Sequence, residues 1–177
     1  MAGTSANTSL WTGADVYLAA ANATGPTDTT TAWAVAWTAV GLLDGETGFV
    51  EGRSDDSNDF YAWGGTLVKT YKTHHKRTVK FTMLETNAAV FGLLNPGSTT
   101  TTASGLTTNV LKTPTWGRIG IGFEVTDGTV VKRRFAKQAM ITDISDVVDK
   151  ETALTAYEVT VTLYPDAAGT IYTELIK

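Results

Sequence analysis

Strict alternation of apolar and polar residues recurs in three separate segments of this chain and fixes its class of fold. Val79, Phe81 and Met83 alternate with threonine and lysine, and the same period recurs over residues 119–125 and 157–163. A period of two places successive side chains on opposite faces of a strand. One apolar and one polar face indicate sheets that pack on one side. Threonine favours strands, and its abundance also predicts a mainly β chain.

Turn and break signals place further strands. The Asp-Gly pair at residues 127–128 predicts a hairpin, and its returning strand runs over residues 130–144 with a break near residues 137–138. Apolar residues also alternate over residues 33–37, which predicts another strand that ends in a bend where the parity shifts.

One short helix is predicted over about residues 85–94. Val90, Phe91, Leu93 and Leu94 form one apolar stripe, and Thr86 can cap the start. Asn-Pro-Gly follows directly and stops the helix. This helix is expected to lie across an open side of the sheets.

The chain is long enough to bury a full core, and its 177 residues are expected to form one domain over residues 1–177. Residues 1–12, residues 21–31 and the threonine-rich residues 98–108 are predicted to be loose. Residues 44–61 are predicted to form a long polar arm, which is longer than the connections usual in a compact domain.

Opposite charges lie on the arm and on the segment that follows it, which is predicted to be a basic hairpin with its turn near His75 and Lys76. The candidate contact residues of the arm are Glu51, Arg53, Asp55, Asp56, Asp59 and Phe60, and those of the hairpin are Lys69, Lys72, Lys76 and Arg77. The favoured interpretation is that the arm of one subunit pairs with the hairpin of another. Nucleic-acid binding and a solvated hairpin without a partner are the alternatives.

No catalytic, cofactor or metal site is predicted, and an enzyme is not expected. The chain has no cysteine, and the adjacent His74 and His75 would point to opposite faces of a strand. Residues 55–59 lack the glycine and closing glutamate of a calcium loop. The carboxylates at residues 143–149 are interpreted as a solvated edge.

Charge and hydropathy argue against several partners. A net charge of −4 and an isoelectric point near 5.1 disfavour a dedicated nucleic-acid binder. Residues 1–10 lack the features of a signal peptide, and no apolar stretch is long enough to span a bilayer, so no membrane partner is expected.

Several runs, in this order and spacing, resemble the major tail protein, or tail tube protein, of long-tailed bacteriophages. The runs are WTAVGLL at residues 37–43, GF at 48–49, FYAWGG at 60–65, KRTVKF at 76–81 and AVFGLLNPG at 89–97. The likeness continues more loosely through the strands to residue 165.

The resemblance implies a mainly β fold: a β-sandwich or partly closed barrel of two packed sheets with one flanking helix. It also implies homohexameric rings that stack into a hollow tail tube, with the arm reaching the neighbouring ring. The implied partners are other copies of the chain, the tape measure protein, tail terminator and tail-tip proteins, and the DNA that passes through. The implied location is the virion tail, after assembly in the host cytoplasm.

If the chain lines such a tube, uncharged polar strand faces should face the lumen. The candidates are Thr78, Thr82, Gly120, Gly122, Thr160 and Thr162. Lys80 and Arg118 share the parity of this face, so either they pair with acids such as Glu124 and Glu158 or other strands line the lumen. The alternative function is a monomeric β-sandwich module that recognises carbohydrate or a cell surface through its aromatic residues.

Overall fold

Most of the predicted strands form in a computed structural model, which describes residues 8–177 of the chain. Within these residues there are ten strands and one helix. Their bounds are β1 (Gly13–Ala20), β2 (Thr38–Ala39), β3 (Val50–Tyr61), β4 (Leu67–Met83), α1 (Ala88–Leu94), β5 (Thr99–Ala103), β6 (Leu106–Val110), β7 (Ile119–Asp127), β8 (Val130–Ile144), β9 (Tyr157–Leu163) and β10 (Thr173–Ile176). The fold is therefore mainly β with one short helix, as predicted.

Eight strands form one antiparallel sheet, and β5 and β6 form a second sheet of two strands. The large sheet has the order β2-β1-β7-β8-β9-β4-β3, and β10 pairs with β8. The hairpin between β7 and β8 turns after Asp127, as the sequence predicted. The predicted break at residues 137–138 is a shift in register between the same two strands. Sequence analysis missed β10.

The core lies on one face of the large sheet and forces that sheet to curl. Phe81 of β4 and Phe123 of β7 are three strands apart in the sheet, yet their ring centroids are 5.8 Å apart. In a flat sheet, strands three places apart would be separated by about 14 Å. The predicted apolar faces are confirmed as core: Val79, Phe81, Ile121, Phe123, Val159 and Val161 are all buried.

Neither sheet of the described residues closes into a barrel, but the chain after β2 bridges the open side. Leu42 accepts a hydrogen bond from the backbone of Leu84 at 2.9 Å, and Asp44 donates one to Thr82 at 3.0 Å. Leu43 forms a β-bridge with Met83 between these bonds. This crossing connects the β1 side of the sheet to β4.

The helix begins three residues later than predicted. Asn87 caps it by accepting a hydrogen bond from the backbone of Val90 at 2.9 Å. Glu85 is not helical because its carboxylate accepts from the backbone of Leu42 at 2.8 Å. Thr86, the predicted cap, instead hydrogen-bonds the Tyr157 hydroxyl at 2.9 Å. Val90 is buried against the core of the large sheet.

The connection between β1 and β2 is anchored over the second face of the large sheet, the face opposite the core. The strand predicted at residues 33–37 is therefore wrong, and so is the looseness predicted at residues 21–31. The Trp33 indole stacks on Tyr17 with ring centroids 4.4 Å apart. Arg133 donates to the backbone carbonyls of Asp28 and Thr31 at 3.0 and 2.7 Å.

A buried ion pair holds this covering connection. Arg133 donates to Glu124 at 2.6 Å, and its side chain is 5% exposed. The Trp33 indole nitrogen donates to the same carboxylate at 2.6 Å. A buried charge is tolerated only when it is paired and hydrogen-bonded, so these contacts depend on each other. These contacts cannot be predicted from sequence periodicity because Arg133 and Glu124 match the pattern of ordinary residues on a polar strand face.

Two further segments differ from their predicted state. The threonine-rich residues 98–108 were predicted to be loose, but they lie largely within the paired strands β5 and β6. Of the predicted N-terminal segment 1–12, residues 1–7 lie outside the described residues. Leu10 donates to the Asp127 carboxylate at 3.0 Å, and the backbone of Thr12 donates to Thr126 at 2.8 Å.

The glycine under Trp33 gives a direct test of this second packed face. A Cβ at Gly122 would overlap the Trp33 ring, whereas a Cβ on the helical Gly92 meets nothing within 4 Å. We expect Gly122→Val to lower the free energy of unfolding by about 1–3 kcal/mol because the indole must move. Gly92→Ala should raise it by about 0.5–1 kcal/mol. Urea unfolding measures both, and equal stabilities for Gly122→Val and the parent would contradict this packing.

Candidate subunit interface

The strands β3 and β4 extend beyond the sheet as a two-stranded ribbon. Of β4, only residues 77–83 pair with β9, so residues 67–76 have β3 as their single neighbour in the sheet. At about 3.3 Å per residue, the ribbon projects about 30 Å from the body. Nearly all its side chains are exposed.

The predicted turn near His75 and Lys76 is wrong. The ribbon turns at residues 62–66, where Gly64 and Gly65 have positive φ of 90° and 83°. Glycine adopts this left-handed conformation without steric cost, so the Gly-Gly pair was the local signal for the turn. The polar arm and the basic segment are therefore the two strands of one ribbon.

A bulge interrupts the ribbon at the two histidines. The register shifts between Ser54 and Asp56, and His74 opposite has a φ of 53°. His74 lies 3.0 Å from the Asp56 carboxylate, and His75 hydrogen-bonds Asp55. The bond from His75 is the largest cause that holds the pKa of Asp55 below its ordinary value.

Glu51 fastens the base of the ribbon to the body. Its carboxylate lies 2.8 Å from Arg77, 2.9 Å from Arg134 of β8 and 3.1 Å from Arg53. Arg134 also pairs with Glu174 of β10 at 3.2 Å. A carboxylate shared by three guanidinium groups joins β3, β4 and β8 through charge-assisted hydrogen bonds, which are stronger than neutral ones.

The predicted arm and hairpin residues thus contact each other within one chain. Lys72 lies 3.9 Å from Asp55, and Asp59 accepts a hydrogen bond from Thr70 at 2.7 Å. Among residues 8–177, Lys69 and Lys76 have no ion pair. These two lysines, together with the exposed Phe60, are the predicted contact residues that remain available to another molecule.

Large apolar side chains are concentrated at the end of the ribbon. We call residues 60–72 the ribbon tip; its exposed apolar members are Phe60, Tyr61, Trp63, Leu67, Val68 and Tyr71. Trp63, within the turn of the ribbon, is fully solvent-exposed. Exposed apolar clusters of this kind are typical of interaction surfaces.

The six candidate lumen residues lie on the second face of the sheet and differ in accessibility. Thr78 and Thr160 are half-buried, whereas Thr82 and Thr162 are buried. Gly122 lies under the Trp33 ring, and a Cβ at Gly120 would meet Trp37 at 3.4 Å. Within a single chain, the two glycines are therefore covered by the connection between β1 and β2.

The two cations that were predicted to share the parity of this face, Lys80 and Arg118, are both engaged. Lys80 lies 3.0 Å from Glu158, the partner that sequence analysis considered. Arg118 instead stacks over the Tyr164 ring, 3.2 Å from its centroid. A hydrogen bond from Ser145 is the largest cause that lowers the pKa of Glu158, and Lys80 lowers it further.

Residues 8–177 contain no group of three or more histidine, cysteine, aspartate or glutamate side chains that could hold a metal ion. None of the described helices has the length and apolar character needed to cross a membrane.

Comparison with known proteins gives the family. The model of the family described as phage tail tube protein matches residues 4–177. No curated protein matches the chain. Among solved structures, the chain is similar to a protein chain in the extended sheath-tube complex of a PVC extracellular contractile injection system. The two chains are 10% identical, the match covers 93% of this chain and 88% of the other, and the TM-score is 0.48.

A second similar structure is the tube-terminating cap of the anti-feeding prophage, with 11% identity, full coverage of both chains and a TM-score of 0.48. Because the family model spans nearly the whole sequence, this chain belongs to the phage tail tube protein family, whose members are structural proteins and not enzymes.

Proposed function

We propose that this protein forms homohexameric rings that stack into the hollow tail tube through which a phage genome is delivered. The observation that carries the proposal is the ribbon, which projects about 30 Å from the body and exposes an apolar tip. Family membership supports the tail tube role. The ring size and the passage of DNA are the proposed additions.

The ribbon gains little by projecting into water. A lone two-stranded hairpin is marginally stable because its side chains bury little apolar surface. Among the described residues, residues 67–76 have no neighbouring strand except β3, and the ribbon tip leaves Phe60, Trp63 and Tyr71 exposed. A second copy would bury that surface and compensate the entropy cost of ordering it. The ribbon is therefore the element that reaches from one ring to another.

Ring closure accounts for an open edge of the sheet. Within residues 8–177, the outer side of β3 has no neighbouring strand along its 12 residues. Unpaired edges promote association, and closure around a ring pairs or covers them. A contact between unlike surfaces either closes into a ring or repeats without end, and a tube requires one contact of each kind.

The proposed lumen is the part of the second sheet face that the connection between β1 and β2 leaves uncovered, with Thr78 and Thr160 as its candidates; Gly120 and Gly122 are covered, and Thr82 and Thr162 are buried. Thr78 and Thr160 are the most accessible of the threonines. A wall without free cations would not bind DNA phosphates and would let DNA slide. The proposed further partners are the tape measure, tail terminator and tail-tip proteins, and the proposed location is the virion tail after assembly in the host cytoplasm.

One observation favours the alternative function, a monomeric module that recognises carbohydrate or a cell surface. Trp63 and Tyr71 are exposed near the end of the ribbon, where they could stack on a sugar ring. Size-exclusion chromatography with light scattering at rising protein concentration separates the two functions. A binding module stays at 18.8 kDa, whereas a tail tube protein forms rings or tubes.

Removal of the aromatic groups at the ribbon tip should abolish tube formation. We expect the double variant Phe60→Ser/Trp63→Ser to lose tubes in negative-stain micrographs because the buried contact between copies is lost. Its thermal unfolding should stay close to that of the parent, since substitutions at exposed sites change stability by about 0.5 kcal/mol or less.

The control is Val35→Ser, which removes a fully exposed apolar side chain from the connection between β1 and β2, outside the ribbon. This variant should form normal tubes. Normal tubes from the double variant would instead exclude the ribbon tip as a contact between copies.

The proposed lumen face can be tested with cysteine labelling because the chain has no native cysteine. In intact tubes, Thr160→Cys should react with a small maleimide but not with one carried on a large polymer. Both reagents should label dissociated subunits, which is the internal control. Fast labelling of intact tubes by the large reagent would place this face on the exterior.

A further inference from the structure

We propose that the ribbon tip docks on the loop between β8 and β9 of a second copy, in the adjacent ring. We call residues 143–154, which comprise the end of β8 and most of the loop that follows it, the acidic loop. The inference rests on the proposed function and names the surface that receives the ribbon. It replaces the contact predicted between the arm of one subunit and the basic segment of another, because those two segments are strands of one ribbon.

The ribbon tip combines apolar surface with positive charge. Phe60 pairs directly with Lys69 across the ribbon, and Asn58 pairs with Tyr71 in the same alternating register, so Phe60, Lys69 and Tyr71 share one face. Lys69 has no ion pair among the described residues. Lys72 lies on the other face, 3.9 Å from Asp55. The nearest carboxylate in sequence, that of Asp59, accepts a hydrogen bond from Thr70.

The acidic loop combines apolar surface with negative charge. Val147, Val148 and Leu154 are exposed large apolar side chains. The same segment contains four carboxylates and one cation, Lys150. The carboxylates are Asp143, Asp146, Asp149 and Glu151. Among residues 8–177, none of the four forms an ion pair, although Asp149 accepts a hydrogen bond from Thr155 at 2.7 Å.

The position of each surface requires that the two meet between copies. β4 and β9 pair from Arg77 opposite Leu163 to Met83 opposite Tyr157. The ribbon leaves this pair at the Arg77 end, and the acidic loop joins it at the Tyr157 end. The tip and the loop of one chain therefore lie at opposite ends of the molecule. Contact between them is head-to-tail, which is the geometry that repeats along an axis.

The two surfaces match in both charge and polarity. The ribbon tip offers Lys69 beside the rings of Phe60 and Tyr71, and it carries the exposed Lys72 on its other face. The acidic loop offers carboxylates around Val147 and Val148. Exposed ion pairs contribute little one at a time. Across an interface, however, like charges are strongly unfavourable, so the charge pattern selects this partner over the basic tip of another copy.

Charge reversal tests the docking. Lys69→Glu/Lys72→Glu and, separately, Asp146→Lys/Asp149→Lys should each raise the critical concentration for tube formation by more than about tenfold. The quadruple variant, which exchanges the charges of both surfaces, should assemble close to the parent concentration. The control Lys112→Glu/Lys177→Glu makes the same change in net charge as Lys69→Glu/Lys72→Glu, but elsewhere on the surface, and should assemble normally. Thermal unfolding should be unchanged in all of them because every substituted residue is exposed.

Disulfide trapping tests the same contact without a change of charge. In oxidised tubes, Trp63→Cys/Val148→Cys should give a ladder of cross-linked copies on a denaturing gel, whereas Trp63→Cys/Val35→Cys should not. Two results would overturn the docking while the parent still forms tubes: charge-reversed variants that assemble like the parent, or a Trp63/Val148 cysteine pair that gives no ladder. In either case the proposed function stands. A parent that stays monomeric at every concentration overturns both.

Discussion

Three phenylalanines set the shape on which the rest of this molecule depends. The centroids of Phe49, Phe81 and Phe123 are 5.2–6.3 Å apart, and each pair of rings meets edge to face. Such pairs contribute about 0.5–1.5 kcal/mol each beyond the apolar area that they bury. Because the rings come from separate parts of the sheet, their contact fixes its curl. Phe49 also directly precedes β3, so the same contact fixes where the ribbon begins.

Glu51 fixes the direction in which the ribbon leaves the body. It follows Phe49 by two residues, and its ion pairs with Arg77 and Arg134 hold the ribbon base against β8. A ribbon with a free base would lose orientational entropy whenever its tip bound a partner. Fastening the base lowers that cost, which is the general advantage of preorganised binding elements. Along the projecting part the register breaks twice, at the bulge beside His74 and again between Phe60 and Tyr61, next to the turn.

Much of the fold could be predicted from the sequence because its central strands are half-buried and alternate cleanly. The alternating segment at residues 157–163 coincides with β9, and the β7–β8 hairpin and its break lie where they were predicted. The prediction failed where residues alternate as in a strand but tertiary contacts hold them in an irregular connection. Trp33 and Trp37 alternate as in a strand, but they belong to a connection held by Arg133, whose partners are distant in sequence.

The candidate interface was only partly predictable for a related reason. Charge pattern identified the residues of the ribbon, but it could not show that opposite charges were cross-strand neighbours in one chain. The Gly64-Gly65 pair is a turn signal in the sequence, but the turn was predicted near His75 and Lys76 instead. Trp63 illustrates the limit most clearly, since an aromatic residue between strands reads the same whether it packs inside or projects into solvent.

The departure of the ribbon and the acidic loop from opposite ends of β4 and β9 gives the subunit a direction. Any head-to-tail filament of this chain is polar: one terminus presents unoccupied apolar and basic tips, and the other presents unoccupied acidic loops. A factor that starts growth and a factor that stops it must therefore have unlike binding surfaces, one resembling the loop and the other resembling the tip. Filament length is then controlled separately at its two ends.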